Sequence, residues 1–235
     1  MAVPILLYHH IGEPPARGTP ARSIWVRPQN FIRQMRLLKW LGYQGLSLRE
    51  AIPYIKGEKS GKVVVITFDD GAMSVYQQAM PVLDQLGFTA TNFFVADHIG
   101  GINDWDKPPH KHAPIMGIAE MRQWAAHGHE AGGHTLSHPH LPQLPPSAAR
   151  EEIIQSKEKL EVLLGFELVS FAYPYGEETP IIRDFVREAG YSYAVTTERG
   201  MAFGRHSLLG LPRHSVRRND HLLQFLAKCL WRKNG

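Results

Sequence analysis

The chain has 235 residues, 43% of them apolar and 20% charged, which fits one folded domain with a sizeable core and excludes a disordered or fibrous chain. A formal net charge of +4 makes no case for nucleic acid, and its excess gathers late, in Arg213, Arg217, Arg218, Arg232 and Lys233, as a solvated face would. A single cysteine, Cys229, excludes an internal disulfide, and no apolar run is long enough to predict a membrane span.

Residues 4–8, Pro-Ile-Leu-Leu-Tyr, read as a buried strand that delivers His9 and His10 at its C-terminal end. A Pro/Gly-rich loop covers 13–20. Apolar residues at 31, 35, 38 and 41 predict a helix closed by Gly42, and residues 46–48 a short strand before a small helix. Residues 63–68, Val-Val-Val-Ile-Thr-Phe, predict a fully buried strand ending on Asp69, Asp70 and Gly71. Strand side chains alternate faces, so the two carboxylates should differ in role, one facing a bound cation and the other a water beside it.

Val75, Ala79, Val82, Leu83 and Leu86 share one face of a helix over 74–86, which Pro81 should kink or restart and Gly87 should stop. A strand at 89–95 leads into a long loop over 97–116. Its Asp104, Trp105, Asp106, His110 and His112 are expected to shape a substrate rim, with a second metal there as the lesser reading. A helix over 118–127 and an extended stretch at 129–133 follow. The helix over 147–164 is expected to carry Ser147 as its N-cap, with Glu151 and Glu152 early and Gly165 beyond its end. A strand at 168–172, a helix opened by Thr179-Pro180 and ended by Gly190, strands at 193–196 and 211–216, and a helix over 220–231 holding Cys229 in the core complete the chain.

Strands and helices alternate about seven times, which predicts an α/β fold with a parallel sheet, in a single domain over residues 1–235. Polar residues recur just after strands, at 9–10, 69–70, 134–138 and 173–176, which favours a barrel, since a barrel gathers such loops at one face. His134 and His138 are four apart, so one helical turn would point both imidazoles the same way. Two imidazoles and one carboxylate suit Zn²⁺ with a position open for water. His140, behind Pro139, is not expected to join them. In 171–176, Phe-Ala-Tyr-Pro-Tyr-Gly, Pro174 fixes the backbone and Gly176 permits a sharp turn, so the amide of Tyr175 can be presented to a ligand beside aromatic walls suited to sugar rings.

Taken in order, Thr-Phe-Asp69-Asp70-Gly, His134-Thr-Leu-Ser-His138-Pro and Tyr-Pro-Tyr-Gly closely resemble the polysaccharide deacetylases, which include chitin, peptidoglycan and poly-N-acetylglucosamine deacetylases. The resemblance runs from Leu6 to about Val216. It implies a distorted (β/α)₇ barrel, a divalent metal, foremost Zn²⁺, held by Asp70, His134 and His138, and Asp69 as general base. The backbone N–H of Tyr175, beside Pro174, would join the metal in stabilising the oxyanion. The family's third motif usually starts with an Arg that steadies the base. Ala172 stands there instead, and Arg213 is the expected replacement. The usual late Leu-x-His acid is matched only by Leu211-Pro-Arg213-His214. With the Tyr-His-His opening, these departures look like the poly-N-acetylglucosamine branch, where a His after the first strand supplies the acid. By position that is His9, preferred to His214.

The expected function is therefore metal-dependent removal of N-acetyl groups from N-acetylhexosamine-containing glycans or glycoconjugates, with an N-acetylated carbohydrate as partner. The alternatives are a weakly active or inactive carbohydrate-binding protein on the same fold, or a hydrolase of another acyl or C–N bond such as an O-acetyl ester. No signal peptide is visible, so the cytoplasm is the expected compartment, or the periplasm or exterior if a leader has been removed. The oligomeric state is left open.

Overall fold

The computed structural model describes residues 2–105 and 112–230. Strand β1 (Ile5–Tyr8) is buried throughout, and after His9 the short β2 (His10–Ile11) pairs with β3 (Trp25–Val26). Pro28 opens helix α1 (Pro28–Trp40), where its missing N–H costs nothing, and α1 buries Phe31, Met35 and Leu38. Strand β4 (Gln44–Leu46) leads to α2 (Leu48–Lys56), started by a reciprocal capping box of Ser47 and Glu50. Strand β5 (Val63–Phe68) is buried at every residue, as a strand covered on both faces must be.

The helix expected over 74–86 is interrupted. Val75–Ala79 is a wide π turn, and α3 (Met80–Leu86) restarts with Pro81 in its first turn, where a missing N–H is harmless. Then come β6 (Thr91–Phe94), α4 (Ile118–Ala126), β7 (Glu130–Gly133), α5 (Pro146–Leu164), β8 (Ser170–Ala172), α6 (Pro180–Glu188), β9 (Tyr193–Val195), β10 (His214–Ser215) and α7 (Leu222–Leu230). Ser147 is not the cap of α5. Pro145 and Pro146 set the entry dihedrals instead, with no side-chain cap. The described ends of the loop over 97–116 are joined by an antiparallel bridge from Ile102 to Pro114, and a second bridge ties Ile115 to Ala72, after β5. Asp106 and His110 in that loop, and Trp231 after α7, lie outside the described residues.

Every ladder of this sheet among the described residues is parallel, in the order β10-β1-β5-β6-β7-β8-β9, with β4 beside the first half of β5. One parallel bridge, Val195 to Leu211, brings the far edge round to the segment that enters β10. The sheet is thus curled into a distorted barrel of one domain. Alternation along the strands sorts the core. Ile5, Val65, Phe93, Val195 and Leu211 form one cluster, while Leu6, Tyr8, Ile66, Phe68 and Phe94 pack with the helix residues Phe31, Leu83, Met121 and Trp124. The segments after β1, β5, β7 and β8 consequently open on one end of the barrel, where such folds place their chemistry.

Candidate metal centre

At the end of β5 the backbone turns sharply, with Asp70 at φ 74° and Gly71 at φ 67°. A side chain at Gly71 would put its Cβ 2.7 Å from the Phe94 ring, so the turn depends on glycine. The turn sends the two carboxylates to different partners. Asp69 accepts two parallel hydrogen bonds from Arg213, from Nη1 and Nη2, each 2.7 Å. Arg213, itself 1% exposed, also donates to Thr67 Oγ1 (3.1 Å) and to the Thr196 carbonyl (2.8 Å). Burial by itself would raise the pKa of Asp69, but the charge and hydrogen bonds of Arg213, then His134 and His9, outweigh it and hold the carboxyl below its usual range.

Asp70 Oδ1 lies 3.6 Å from His134 Nε2 and 3.5 Å from His138 Nε2, with all three groups buried. Metal bonds of about 2.0–2.2 Å at tetrahedral angles would separate ligand atoms by roughly 3.3–3.6 Å, close to these spacings. Asp70 Oδ1 is buried with no hydrogen-bond partner among the described residues, an orphan that a cation would satisfy. His134 Nδ1 donates to the Ala172 carbonyl at 2.7 Å, which leaves the lone pair on Nε2 and aims it at the cluster. Burial, then the charge of His134, push His138 down to about 3, so its imidazole is neutral. For His134, burial acts downward, but attraction to Asp70 and Asp69 prevails and raises its pKa. A buried imidazole that would take up a proton between two carboxylates marks a place where positive charge is wanted. Among the described residues this is the one group whose ligand atoms cluster so closely, and its donor set fits a divalent ion.

The two histidines do not converge by a helical turn, contrary to the sequence expectation. Residues 134–140 are irregular, and Thr135 (φ 66°) and His138 (φ 62°) are both left-handed. The loop is held from outside: the Glu152 carboxylate on α5 accepts the N–H of Leu136 (2.9 Å), the N–H of Ser137 (3.0 Å) and the Ser137 hydroxyl (2.7 Å). Thr135 Oγ1 accepts the His138 N–H at 3.1 Å. In the sequence Glu152 looked like an acidic residue serving the helix dipole, and no local signal distinguished it as a latch.

The third stretch forms a tight turn over Pro174–Gly176, with Tyr175 at φ 59° and Gly176 at φ 77°. The Tyr175 carbonyl accepts the Thr197 hydroxyl at 3.0 Å. The Tyr175 ring meets His138 edge-on (4.7 Å) and stacks on His140 (3.8 Å), whose Nδ1 is 2.9 Å from Glu177 Oε2. His140 thus stands outside the ligand cluster. Trp105, from the loop expected to form a rim, stacks on His138 at 4.8 Å. His9 is close enough for its charge to act on Asp69, Asp70 and His138. His10 stacks on Trp25 at 4.2 Å. His214 is not brought to the cluster. It is registered with Leu6, whose side chain packs beneath the helices, and burial followed by the charges of Arg199 and Lys228 lowers its pKa.

The sequence profile described as "Polysaccharide deacetylase" matches residues 56–194. The "Putative polysaccharide deacetylase YxkH" of Bacillus subtilis (strain 168) is 32% identical over 217 residues, covering 92% of this chain and 71% of YxkH. The poly-β-1,6-N-acetyl-D-glucosamine N-deacetylase of Staphylococcus epidermidis is 29% identical over 155 residues, covering 64% of this chain and 54% of that enzyme. Among solved structures, the Streptococcus pyogenes deacetylase PplD in complex with acetate is similar with a TM-score of 0.85 at 26% identity, covering 97% of this chain and 98% of PplD. IcaB from Ammonifex degensii reaches a TM-score of 0.82 at 25% identity, covering 98% of this chain and 97% of its own.

Proposed function

The chain belongs to the polysaccharide deacetylase family, and from that membership we propose that it is a metal-dependent hydrolase removing N-acetyl groups from N-acetylhexosamine-containing glycans or glycoconjugates. One observation carries the reading: Asp70, His134 and His138 converge beside an Asp69 that Arg213 clamps in its ionised form. The poly-N-acetylglucosamine deacetylases among the relatives support the substrate class. The proposed ion is Zn²⁺, since two imidazoles and a carboxylate with an open position are a hydrolytic zinc donor set. When bound, such an ion polarises the acetyl carbonyl and acidifies a water.

The remaining work falls to the chain. Asp69, with both oxygens oriented by Arg213, takes the proton of the attacking water. The backbone N–H of Tyr175, set by the turn at Pro174, donates to the developing oxyanion, an interaction worth roughly 3 kcal/mol per donor. His9 gives a proton to the departing amine. Trp105 and Tyr175, both against the His138 ring, wall the approach and exclude water from one side of the reacting amide.

The test is acetate release from N-acetylglucosamine oligomers in β-1,4 and β-1,6 linkage, with and without chelator. Release that stops with chelator and returns with Zn²⁺ is expected. No release from a broad acetylated panel, with glycan binding intact in Asp69→Asn, would instead establish a carbohydrate-binding protein on this fold.

A further inference from the structure

Helix α1 and the segment entering α7 line a half-open surface pocket of about 440 Å³, with Arg33 and Gln34 on one side and Arg218, Asp220, His221 and Leu222 on the other. That volume lies within the roughly 300–1,000 Å³ of small-molecule sites. Gln34 brings an unmet donor to this pocket. Gln34 is 1% exposed; its Oε1 accepts the Tyr8 hydroxyl at 2.9 Å, and its Nε2 is buried without a partner among the described residues. A buried amide N–H left without an acceptor costs roughly 1–3 kcal/mol, so it calls for one. The same cavity receives the start of α7 (Leu222–Leu230), whose first-turn N–H groups and dipole present partial positive charge. Among the described residues no carboxylate pairs with the guanidinium of Arg33 or Arg218. Asp220 is already matched: its Oδ2 accepts from Lys228 Nζ and from the Arg217 N–H. Arg218 N–H donates to the Ser23 carbonyl at 2.8 Å, which ties this wall to the turn bearing Arg22 and adds further positive charge.

We propose that this cavity is a binding site for a phosphate group, free or carried by a small soluble phosphomonoester or a lipid head group, with Arg33, Arg218, Gln34 Nε2 and the first amides of α7 as its donors. Two guanidinium forks suit the paired oxygens of a phosphate, and a helix start adds backbone N–H groups aimed at a third. Leu222 and the exposed Leu223 at the mouth would touch the carrier. The site uses none of the residues assigned to deacetylation.

Calorimetric titration of inorganic phosphate into the full chain tests this, with chelator present so that phosphate on a metal does not contribute. Saturable one-site binding is expected. Arg33→Ala combined with Arg218→Ala should weaken it at least tenfold, and Arg36→Ala, an exposed arginine of α1 outside the cavity, should leave it unchanged. Both arginines lie at the surface of the cavity, and a melting curve checks that the double variant folds. Glucose 6-phosphate and phosphatidylglycerol vesicles, run against the same variants, separate the sources: arginine-dependent binding of one identifies a soluble or a lipid carrier, and phosphate binding with neither identifies the free ion. No saturable phosphate binding, or binding indifferent to the double substitution, overturns the proposal. Acetate release by the double variant should equal that of the unmodified chain, so failure of the deacetylase reading would leave this outcome standing.

Discussion

Arg213 and Asp69, 144 residues apart in the sequence, meet in a two-pronged ion pair at 2.7 Å per prong. Asp69 directly follows β5, and Arg213 directly precedes β10, in the segment where a single bridge brings the barrel round on itself. The orientation of the proposed base is therefore set by the same short segment that joins the sheet's two ends. Thr67 and Thr196 hold the guanidinium on either side, so its planar fork has one place to sit.

Arg213→Met should destabilise the fold by about 3–5 kcal/mol at neutral pH, because it leaves a buried carboxylate without its cation. The pair lowers the folded pKa of Asp69, so its contribution is present above the unfolded value of about 3.9 and is lost as pH falls through the folded one. Urea unfolding of the two proteins should therefore converge towards strong acid. A constant gap at every pH would show that Asp69 is not the group responsible.

Asp69→Asn should lower kcat by roughly 10²–10⁴-fold, the usual range for losing a general base, while leaving metal content intact. His134→Ala should lose the metal itself. Acetate release and metal analysis on the same samples separate the two roles. Metal lost from Asp69→Asn would place Asp69 among the ligands instead.

Gly176→Ala should cost roughly 1–3 kcal/mol and depress acetate release. Gly176 is left-handed at φ 77°, and an added Cβ would lie 2.1 Å from Thr197 Oγ1 and 2.4 Å from the Thr197 nitrogen. Because one of those atoms is backbone, trimming Thr197 cannot relieve the clash, and the turn presenting Tyr175 must move. Gly165→Ala is the control, since it is left-handed at φ 82° with nothing within 4 Å, and should cost stability without touching activity.

The parts of the site written into short stretches were legible in the sequence. Four apolar residues running into Asp69 and Asp70 specify a buried strand and its polar end, and four-residue spacing singled out His134 and His138. The helical turn assigned to that spacing was wrong, because what shapes the loop is Glu152, fourteen residues beyond His138 and on another element. Arg213 could be reached only through the family resemblance, as no periodicity links it to Asp69. Ser147 looked like a cap because two prolines before it do that work by fixed dihedrals.

Glu130 gives a pH dependence of opposite sign. Burial raises its pKa, only partly offset by hydrogen bonds from the Ser170 hydroxyl, the Arg49 N–H and the Thr91 hydroxyl. A raised folded pKa means its contribution is complete below the unfolded value of about 4.3 and is lost as pH climbs through the folded one. Glu130→Gln, neutral throughout, should gain stability relative to the unmodified chain across that window. Urea midpoints from pH 4 to pH 8 would measure it, and an offset that does not change with pH would refute the assignment.

Glu152→Ala should weaken metal binding about 10–100-fold, the usual effect of removing a group that orients ligands, although Glu152 touches neither the ion's site nor substrate. Its carboxylate accepts both backbone N–H groups between Thr135 and His138, and those residues are the two forced into left-handed conformations. Without the latch the backbone can relax towards ordinary dihedrals, which swings His138 away from Asp70. Glu152→Gln keeps one acceptor oxygen and should fall between the two. A competition titration against a chromogenic chelator reads the affinity directly, and activity at saturating Zn²⁺ should largely recover, because the reacting groups are untouched. If the affinity were unchanged in Glu152→Ala, the left-handed loop would have to be stable through Thr135 alone, and Thr135→Ala would then be the substitution that releases the metal.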